Sequence, residues 1–375
     1  MNETFSVDGR VFGPRGLMVI AELGTSHNGG LDKAKEMAAA AAEAGADCIK
    51  TQMVFAAEIL HPNTGDVPLP GGSIRLYDRF KALEAPPEFY RDLKEYVESL
   101  GMLFLCTPFG LKSAGILREL GPKMVKIASP ELNFTALLRE IAGWGLPVLL
   151  SSGVSTLADI DEALAITKTR EGDGQNDGKI CLLHCVTSYP APETEFNLRV
   201  LRSLRAVFGV SVGLSDHSLD PELVPALAVS QGAALVEKHF CLSESGGGLD
   251  DPIALPPPLF ARMVRAIREA AAAGPEETLA KYIRERGEAR VAAVLGTGVK
   301  EPAPSERANY RRTNRSIHAA RDIQRGETIG PGDFAVLRTE KILRPGLEPR
   351  WEPFIAGRTA RDFIPAGEGI RFEDI

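Results

Sequence analysis

Two histidines, two lysines and a set of hydroxyls are the residues of this chain whose types and spacing could do chemistry. His217 and His239 each close a short apolar run, and neutral imidazoles are common ligands for borderline divalent metals. Asp216 and Glu237 stand close by and could act through water or from behind the ligands. Lys50 and Lys126 end two other apolar runs, where an ammonium can hold phosphate or carboxylate as a compact point charge. A Schiff-base lysine is the competing use of either one. The hydroxyls of Thr107, Ser129, Ser151 and Ser215 lie at similar places, and with both lysines they read as an anion cradle rather than one desolvated nucleophile. Hydrogen-bonded rim histidines and surface salt-bridge lysines are the readings without chemistry.

The elements that must position these groups are short apolar runs alternating with helix-period segments. Strands are expected at Leu17–Leu23, Asp47–Gln52, Met102–Cys106, Met124–Ala128, Val148–Ser151, Ile180–His184, Val210–Leu214 and Ala234–His239. Continuous apolar runs of this length indicate strands buried on both faces, as in a parallel sheet. Helices are expected between them, for example at Lys33–Ala44, Pro87–Leu100, Thr156–Thr169 and Pro257–Ala273, with Ser155-Thr156 and Asp220-Pro221 as start signals. Eight strand–helix units point to an α/β chain folded as a (β/α)₈ TIM barrel; a doubly wound sheet ranks lower because no Gly-rich fingerprint follows the first strand. TIM barrels carry their chemistry at the C-terminal ends of the strands. Those ends read Glu22, then Lys50 and Gln52, Thr107, then Lys126 with Ser129 and Glu131. Ser151 and Ser152, His184 and Tyr189, then Ser215, Asp216 and His217 follow, and Glu237 and His239 close the series. Polar groups at nearly every strand end would cost stability if buried unpaired, so they imply a site.

The connection from Met53 to Ala85 is long and carries Pro62, Pro68, Pro70, Gly71 and Gly72, which suggests a lid or binding loop. After Ala273 the texture changes. Gly274–Pro304 reads as a charged, helix-containing linker, and from Arg311 onward come short β-like runs with Gly turns, where Ala320–Ile329 resembles Ala360–Ile370. The reading is a barrel domain over 1–280, a linker over 281–310 and a small β-rich domain over 311–375, too small to hold a deep site alone. A net charge of −7 with both signs interspersed gives no reason to expect nucleic acid or membrane as a partner. Residues 1–13 lack the apolar core of a signal peptide, and five cysteines without a CxxC read as buried, reduced thiols in a cytoplasmic protein, with Cys185 or Cys241 the ones that could lie near a site.

Eight motifs in order carry a family resemblance. They are Ala21–Gly30 (AELGTSHNGG), Ile49–Gln52, Cys106–Phe109, Val125–Glu131, Leu150–Gly153, Leu183–Pro190, Gly213–His217 and Val236–Phe240. Together they resemble the nonulosonic (sialic) acid synthases, and Asn314–Glu327 looks like that family's antifreeze-like SAF domain. The resemblance spans nearly the whole chain. It implies condensation of phosphoenolpyruvate with the open-chain aldehyde of an N-acylated hexosamine, either N-acetylmannosamine-like or a 2,4-diacetamido-trideoxyhexose. The products are a nine-carbon α-keto acid and phosphate.

The resemblance also implies residue roles. Mn²⁺, with Mg²⁺ or Co²⁺ as alternatives, would sit on His217 and His239. Lys50, Thr107, Lys126, Ser129, Ser151 and Ser215 match phosphoenolpyruvate-binding positions. Gln52, Tyr189 and Asp250 match positions around the metal and sugar, and Glu22 or Glu237 would handle the attacking water. Arg315 matches an SAF arginine that reaches into the partner subunit's barrel, which implies a domain-swapped homodimer. The Val186–Pro192 run is closer to pseudaminic acid synthases and spore-coat relatives than to N-acetylneuraminate synthases, so the sugar stays open. A Schiff-base aldolase or lyase and a non-catalytic carbohydrate-binding protein are the rival readings.

Overall fold

A computed structural model of the chain describes residues 3–69, 72–168, 178–244, 246–340 and 342–375. Pro70 and Gly71 of the long connection, Thr169 at the expected end of one helix, and the first two residues of the N-terminal segment lie outside these. All eight expected strands form, each within two residues of its expected limits. They are β1 (Met18–Glu22), β2 (Cys48–Met53), β3 (Leu103–Pro108), β4 (Val125–Ile127), β5 (Val148–Ser151), β6 (Ile180–Cys185), β7 (Ser211–Asp216) and β8 (Leu235–His239). Parallel ladders join them in the order β3–β2–β1–β8–β7–β6–β5–β4, and β3 then lies against β4 without a ladder. The ring follows chain order, which excludes the doubly wound alternative and makes a nearly closed (β/α)₈ barrel.

Strand pleat sorts the side chains. Outward residues such as Val19, Ile49 and Leu182 pack under the helices, whereas inward Met18, Ile20, Cys48, Leu105, Leu149 and Leu183 fill the lower barrel. An N-terminal hairpin (Phe5–Val7 with Arg10–Phe12), absent from the sequence reading, seals that end by burying Phe5 in the same cluster. Higher up, the inward positions turn polar, and the site begins there.

The helix-start signals act as caps. Asp220 Oδ1 accepts the N–H groups of Glu222 and Leu223 at 2.9 and 3.1 Å ahead of helix Leu223–Ser230. Thr156 and Asp159 exchange bonds at the head of helix Leu157–Lys168. The long connection folds into helices Ala56–Ile59 and Leu76–Ala82 with a hairpin between them, around a separate apolar cluster that includes Val54, Ile59, Val67 and Phe109.

Beyond the barrel, helices Pro275–Arg286 and Glu288–Leu295 lead to an antiparallel pair, β9 (Arg315–Ala319) and β10 (Phe334–Arg338). The two similar segments pair with each other: Ile323 and Ile364 exchange backbone hydrogen bonds at 2.9 and 3.0 Å, and both are fully buried. The C-terminal unit rests on the barrel mouth. Asn314 Nδ2 donates to the Val154 carbonyl, and the Glu306 carboxylate accepts the N–H groups of Val154 and Thr187 at 2.8 and 2.6 Å. All five cysteines are free and buried. Among the described residues no helix is long and apolar enough to cross a membrane.

Candidate active site

A cavity of about 240 Å³ opens at the C-terminal ends of the strands, between the barrel and the C-terminal unit. Lys50, Gln52, Lys126, Ser129, Ser151, Tyr189, Ser215, His217, Glu237, His239 and Asp250, all singled out in the sequence, line it. Three others to which the family resemblance gives a role do not. Glu22 is buried outside the lining, Thr107 is buried with its hydroxyl unpartnered, and Arg315 is buried elsewhere.

The floor is a charge network. Lys50 Nζ lies 2.7 Å from Glu22 and 3.1 Å from Glu237, while Lys126 Nζ bonds to Ser151 Oγ at 2.6 Å and lies 3.8 Å from Glu237. Gln52 Nε2 donates to Glu22 at 2.6 Å. Burial disfavours each charge, but the pairing decides the outcome. It is outweighed at Glu237, whose carboxyl Lys126 and Lys50 hold down to about 2, and at Lys50, which Glu22 and Glu237 keep above the ordinary lysine range. At Lys126 burial wins, and its pKa is lowered. Two carboxylates and two ammoniums make a floor that is neutral overall yet rich in donors for a small anion.

His217 and His239 meet above this floor with ring centroids 5.5 Å apart, and Tyr189 stacks on His217 at 4.3 Å. His217 Nδ1 lies 2.8 Å from the Val186 carbonyl and 3.8 Å from Cys185 Sγ, and against burial the Cys185 thiol and that carbonyl raise its pKa. His239 Nδ1 is buried with no hydrogen-bond partner, and Asp250 Oδ2 stands 3.9 Å from it. Burial pushes His239 down to about 3, so it is neutral at working pH. Two adjacent imidazoles, one of them neutral with an orphaned nitrogen, fit a divalent ion. Among the described residues no three His, Cys, Asp or Glu groups are arranged to hold a metal unaided. The remaining ligands would come from water or substrate.

Behind the histidines the adjacent residues form a clamp. Lys238 Nζ bonds to Asp216 Oδ2 at 3.0 Å and to the Ser218 carbonyl, and both charged side chains are fully buried. Asp216 precedes His217 and Lys238 precedes His239, so this pair ties β7 to β8 on the outer face of the sheet, one residue before each imidazole. Replacing Lys238 with Met is expected to cost about 3–5 kcal/mol of stability, because Asp216 is left as an uncompensated buried charge. It should also weaken Mn²⁺ binding by roughly 10–100-fold, as outer-sphere losses do. Urea unfolding and an Mn²⁺ titration read by electron paramagnetic resonance check both; unchanged affinity would make the clamp merely structural.

Several strand-end residues face elsewhere. Ser152 and His184 point outward, where His184 Nε2 meets the Phe196 carbonyl at 2.6 Å, and Asp216 serves the clamp. Arg315 does not line the cavity: it is 1% exposed and spends its donors on buried acceptors. They go to Glu131 and to the carbonyls of Glu58, Phe109 and Val336.

The C-terminal arginine that lines the cavity is Arg338, the register partner of Arg315 on β10. Its guanidinium grips Glu131 through Nε and Nη2 at 2.7–3.0 Å and lies over the Phe109 ring. Sequence reasoning missed it because nothing marks Arg338 apart from other arginines until β9 and β10 are paired. Thr25, Cys185, Thr187, Leu249 and Thr313 also line the cavity. Cys185 and Thr187 were visible at a strand end, whereas Leu249 and Thr313 come from loops with no local signal.

Comparison with known proteins decides the family. Residues 37–278 match the NeuB family, and residues 314–375 match the SAF domain. The chain belongs to the NeuB family. This NeuB chain is 34% identical over 378 residues to the spore coat polysaccharide biosynthesis protein SpsE of Bacillus subtilis, covering 100% of this chain and 96% of that one. It is 34% identical over 372 residues to the N,N'-diacetyllegionaminic acid synthase of Legionella pneumophila, covering 96% of each. The crystal structure of the Bacillus subtilis protein superimposes with a TM-score of 0.82 at 32% identity, over 99% of both chains. The NeuB chain is accordingly an enzyme, a carbon–carbon bond-forming transferase.

Proposed function

We propose that this NeuB enzyme joins phosphoenolpyruvate to the open-chain aldehyde of an N-acylated hexosamine, giving a nine-carbon α-keto sugar acid and phosphate. The observation that carries this reading is the juxtaposition of the donor-rich floor with two adjacent imidazoles in one cavity. Phosphoenolpyruvate is a small anion and fits Lys50, Lys126 and the hydroxyls of Ser129, Ser151 and Ser215. The aldehyde fits beside His217 and His239.

A divalent ion on these histidines, Mn²⁺ in our reading, supplies Lewis-acid polarisation of the aldehyde oxygen when bound. The protein's own groups account for the rest. Lys126 and the hydroxyls fix the phosphate so that C3 of phosphoenolpyruvate faces the aldehyde carbon, and the new bond forms between those atoms. The aldehyde oxygen takes a proton as it becomes a hydroxyl. Water then adds at C2, and the C2–O bond to phosphate breaks with its electron pair leaving on phosphate. Glu237, which lines the cavity, is the better placed carboxylate for that water, while Glu22 holds Lys50 from below. A carboxyl held near 2 is a weak base, so Glu237 orients the water and stabilises the cation at C2 more than it removes a proton.

One observation favours a second reading. The lowered pKa of the buried Lys126 suits a Schiff-base nucleophile. A single experiment separates the two: phosphate release from phosphoenolpyruvate with a panel of N-acyl hexosamines, with Mn²⁺ and with chelator. The synthase reading expects acceptor-dependent release abolished by chelator. Condensation of pyruvate, without phosphate release, that survives chelation, with borohydride trapping pyruvate on Lys50 or Lys126, would establish the aldolase instead.

We further propose a barrel over 1–280, a linker over 281–310 and the SAF domain over 311–375, acting in the cytoplasm as a homodimer. The SAF contacts to Glu131 and Val154 are ones that a partner's SAF domain could make after exchange. Light scattering is expected to give twice the 40.3 kDa chain mass; a monomeric mass with full activity would refute the dimer.

A further inference from the structure

The segment that follows helix Glu288–Leu295 grips the barrel mouth through three side chains, and all three reach the same turn. Lys300 Nζ donates to the Ser152 carbonyl at 2.8 Å, Glu306 Oε1 accepts the Val154 N–H at 2.8 Å, and Asn314 Nδ2 donates to the Val154 carbonyl at 3.1 Å. The turn begins directly after Ser151, which ends β5 and holds Lys126. Val154 needs the grip. Its φ of +43° lies in the left-handed region, which a β-branched residue occupies only when its surroundings hold it there. Backbone held in this way clusters at functional sites.

Glu306 does more than hold one turn. The same Oε1 accepts the Thr187 N–H at 2.6 Å from the loop after β6, and Oε2 accepts the Ala303 N–H at 2.9 Å within its own segment. Glu306 is 1% exposed, so three backbone donors replace the water its charge has given up. Gly153 passes the arrangement on to the end of β4, because its N–H donates to Ser129 Oγ at 3.0 Å. This position has no room for a side chain: a Cβ would overlap Thr187 Oγ1 and crowd Ser129 Oγ. Ser129, Ser151 and Thr187 all line the cavity, and Glu306 does not. One carboxylate outside the cavity thus sets the spacing of three strand ends, those of β4, β5 and β6, whose hydroxyls face the anion.

Resting on the assignment of this cradle to phosphoenolpyruvate, we propose that Glu306 is a positioning residue for it. Through the main chain of Val154 and Thr187, Glu306 holds Ser129, Ser151 and Thr187 at the spacing the anion requires, without touching the substrate. The test titrates phosphoenolpyruvate into the full chain and into its Glu306→Ala and Glu306→Gln variants by calorimetry, beside a thermal melt of each. Glu306→Ala leaves two loop N–H groups without their acceptor. Its Kd for phosphoenolpyruvate is expected to rise on the order of tenfold, since an ångström-scale displacement in a positioned site costs up to about 10²-fold. Glu306→Gln keeps an oxygen for both N–H groups, and a neutral acceptor bonds about half as strongly, so its Kd is expected to fall between those of the parent and Glu306→Ala. A Kd equal to the parent's in Glu306→Ala overturns the proposal, however far the melt falls, and leaves Glu306 a structural tie. Should Glu306→Ala fail to fold, Glu306→Gln decides alone: a raised Kd supports the proposal and an unchanged one overturns it. Phosphate release with the acceptor panel separates this claim from the reaction. A parent chain that binds phosphoenolpyruvate but releases no phosphate overturns the synthase reading, while Glu306 is still judged on Kd. A parent chain that binds no phosphoenolpyruvate overturns both.

Discussion

A His239→Ala chain is expected to keep its fold, lose divalent-metal binding and lose about 10³-fold in kcat/KM, the scale seen when one preorganised electrostatic group is removed from a site. The separation of effects follows from the contacts. His239 Nδ1 has no hydrogen-bond partner, so deleting the ring orphans no other buried group. His239 is neutral because burial holds it down to about 3, so protons do not compete with a metal at working pH. His217 is the poorer target, since its ring also meets the Val186 carbonyl and stacks on Tyr189, and its loss would mix structural with chemical effects. An Mn²⁺ titration and a thermal melt decide the matter. Normal Mn²⁺ affinity in His239→Ala would sink the metal assignment.

Lys50→Met should combine a stability loss of about 3–5 kcal/mol with a fall in activity of at least roughly 10²-fold. Lys50 stands between Glu22 and Glu237 at 2.7 and 3.1 Å, with all three side chains 5% exposed or less. Removing it leaves Glu22 without its 2.7 Å counter-charge and Glu237 with Lys126 alone, at 3.8 Å. Neutralising one carboxylate as well should restore stability. The double variant Lys50→Met/Glu22→Gln is therefore expected to recover much of the unfolding free energy in urea and none of the turnover. A double variant no more stable than Lys50→Met would show that the pairing is not what holds the floor together.

The SAF arginines show where sequence reading stops. Resemblance pointed to Arg315, and the residue is central, but as a buried tie between β9 and Glu131 and not as a group facing the cavity. Arg338 takes the exposed place because β9 and β10 pair Arg315 with Arg338, so that both side chains converge on one carboxylate and only the second borders the cavity. Nothing in the spacing of two arginines 23 positions apart encodes that choice.

The eight strands, their order and the polar residues at their ends were legible in the sequence, because a strand buried on both faces must be a short, continuous apolar run, and a polar group ending such a run must have a partner or a task. The two histidines, the two lysines and most of the hydroxyls followed directly. What only the tertiary structure decided was direction and company. Pleat turned Ser152, His184 and Asp216 outward while Ser151, Ser215 and Glu237 faced in. Ring closure brought Lys50 between Glu22 and Glu237, and the fold of the long connection brought Val54, Ile59 and Phe80 to the lining of the same cavity. These outcomes depend on contacts between residues far apart in the chain, and a one-dimensional pattern holds the period of a side chain but not the neighbour it will meet.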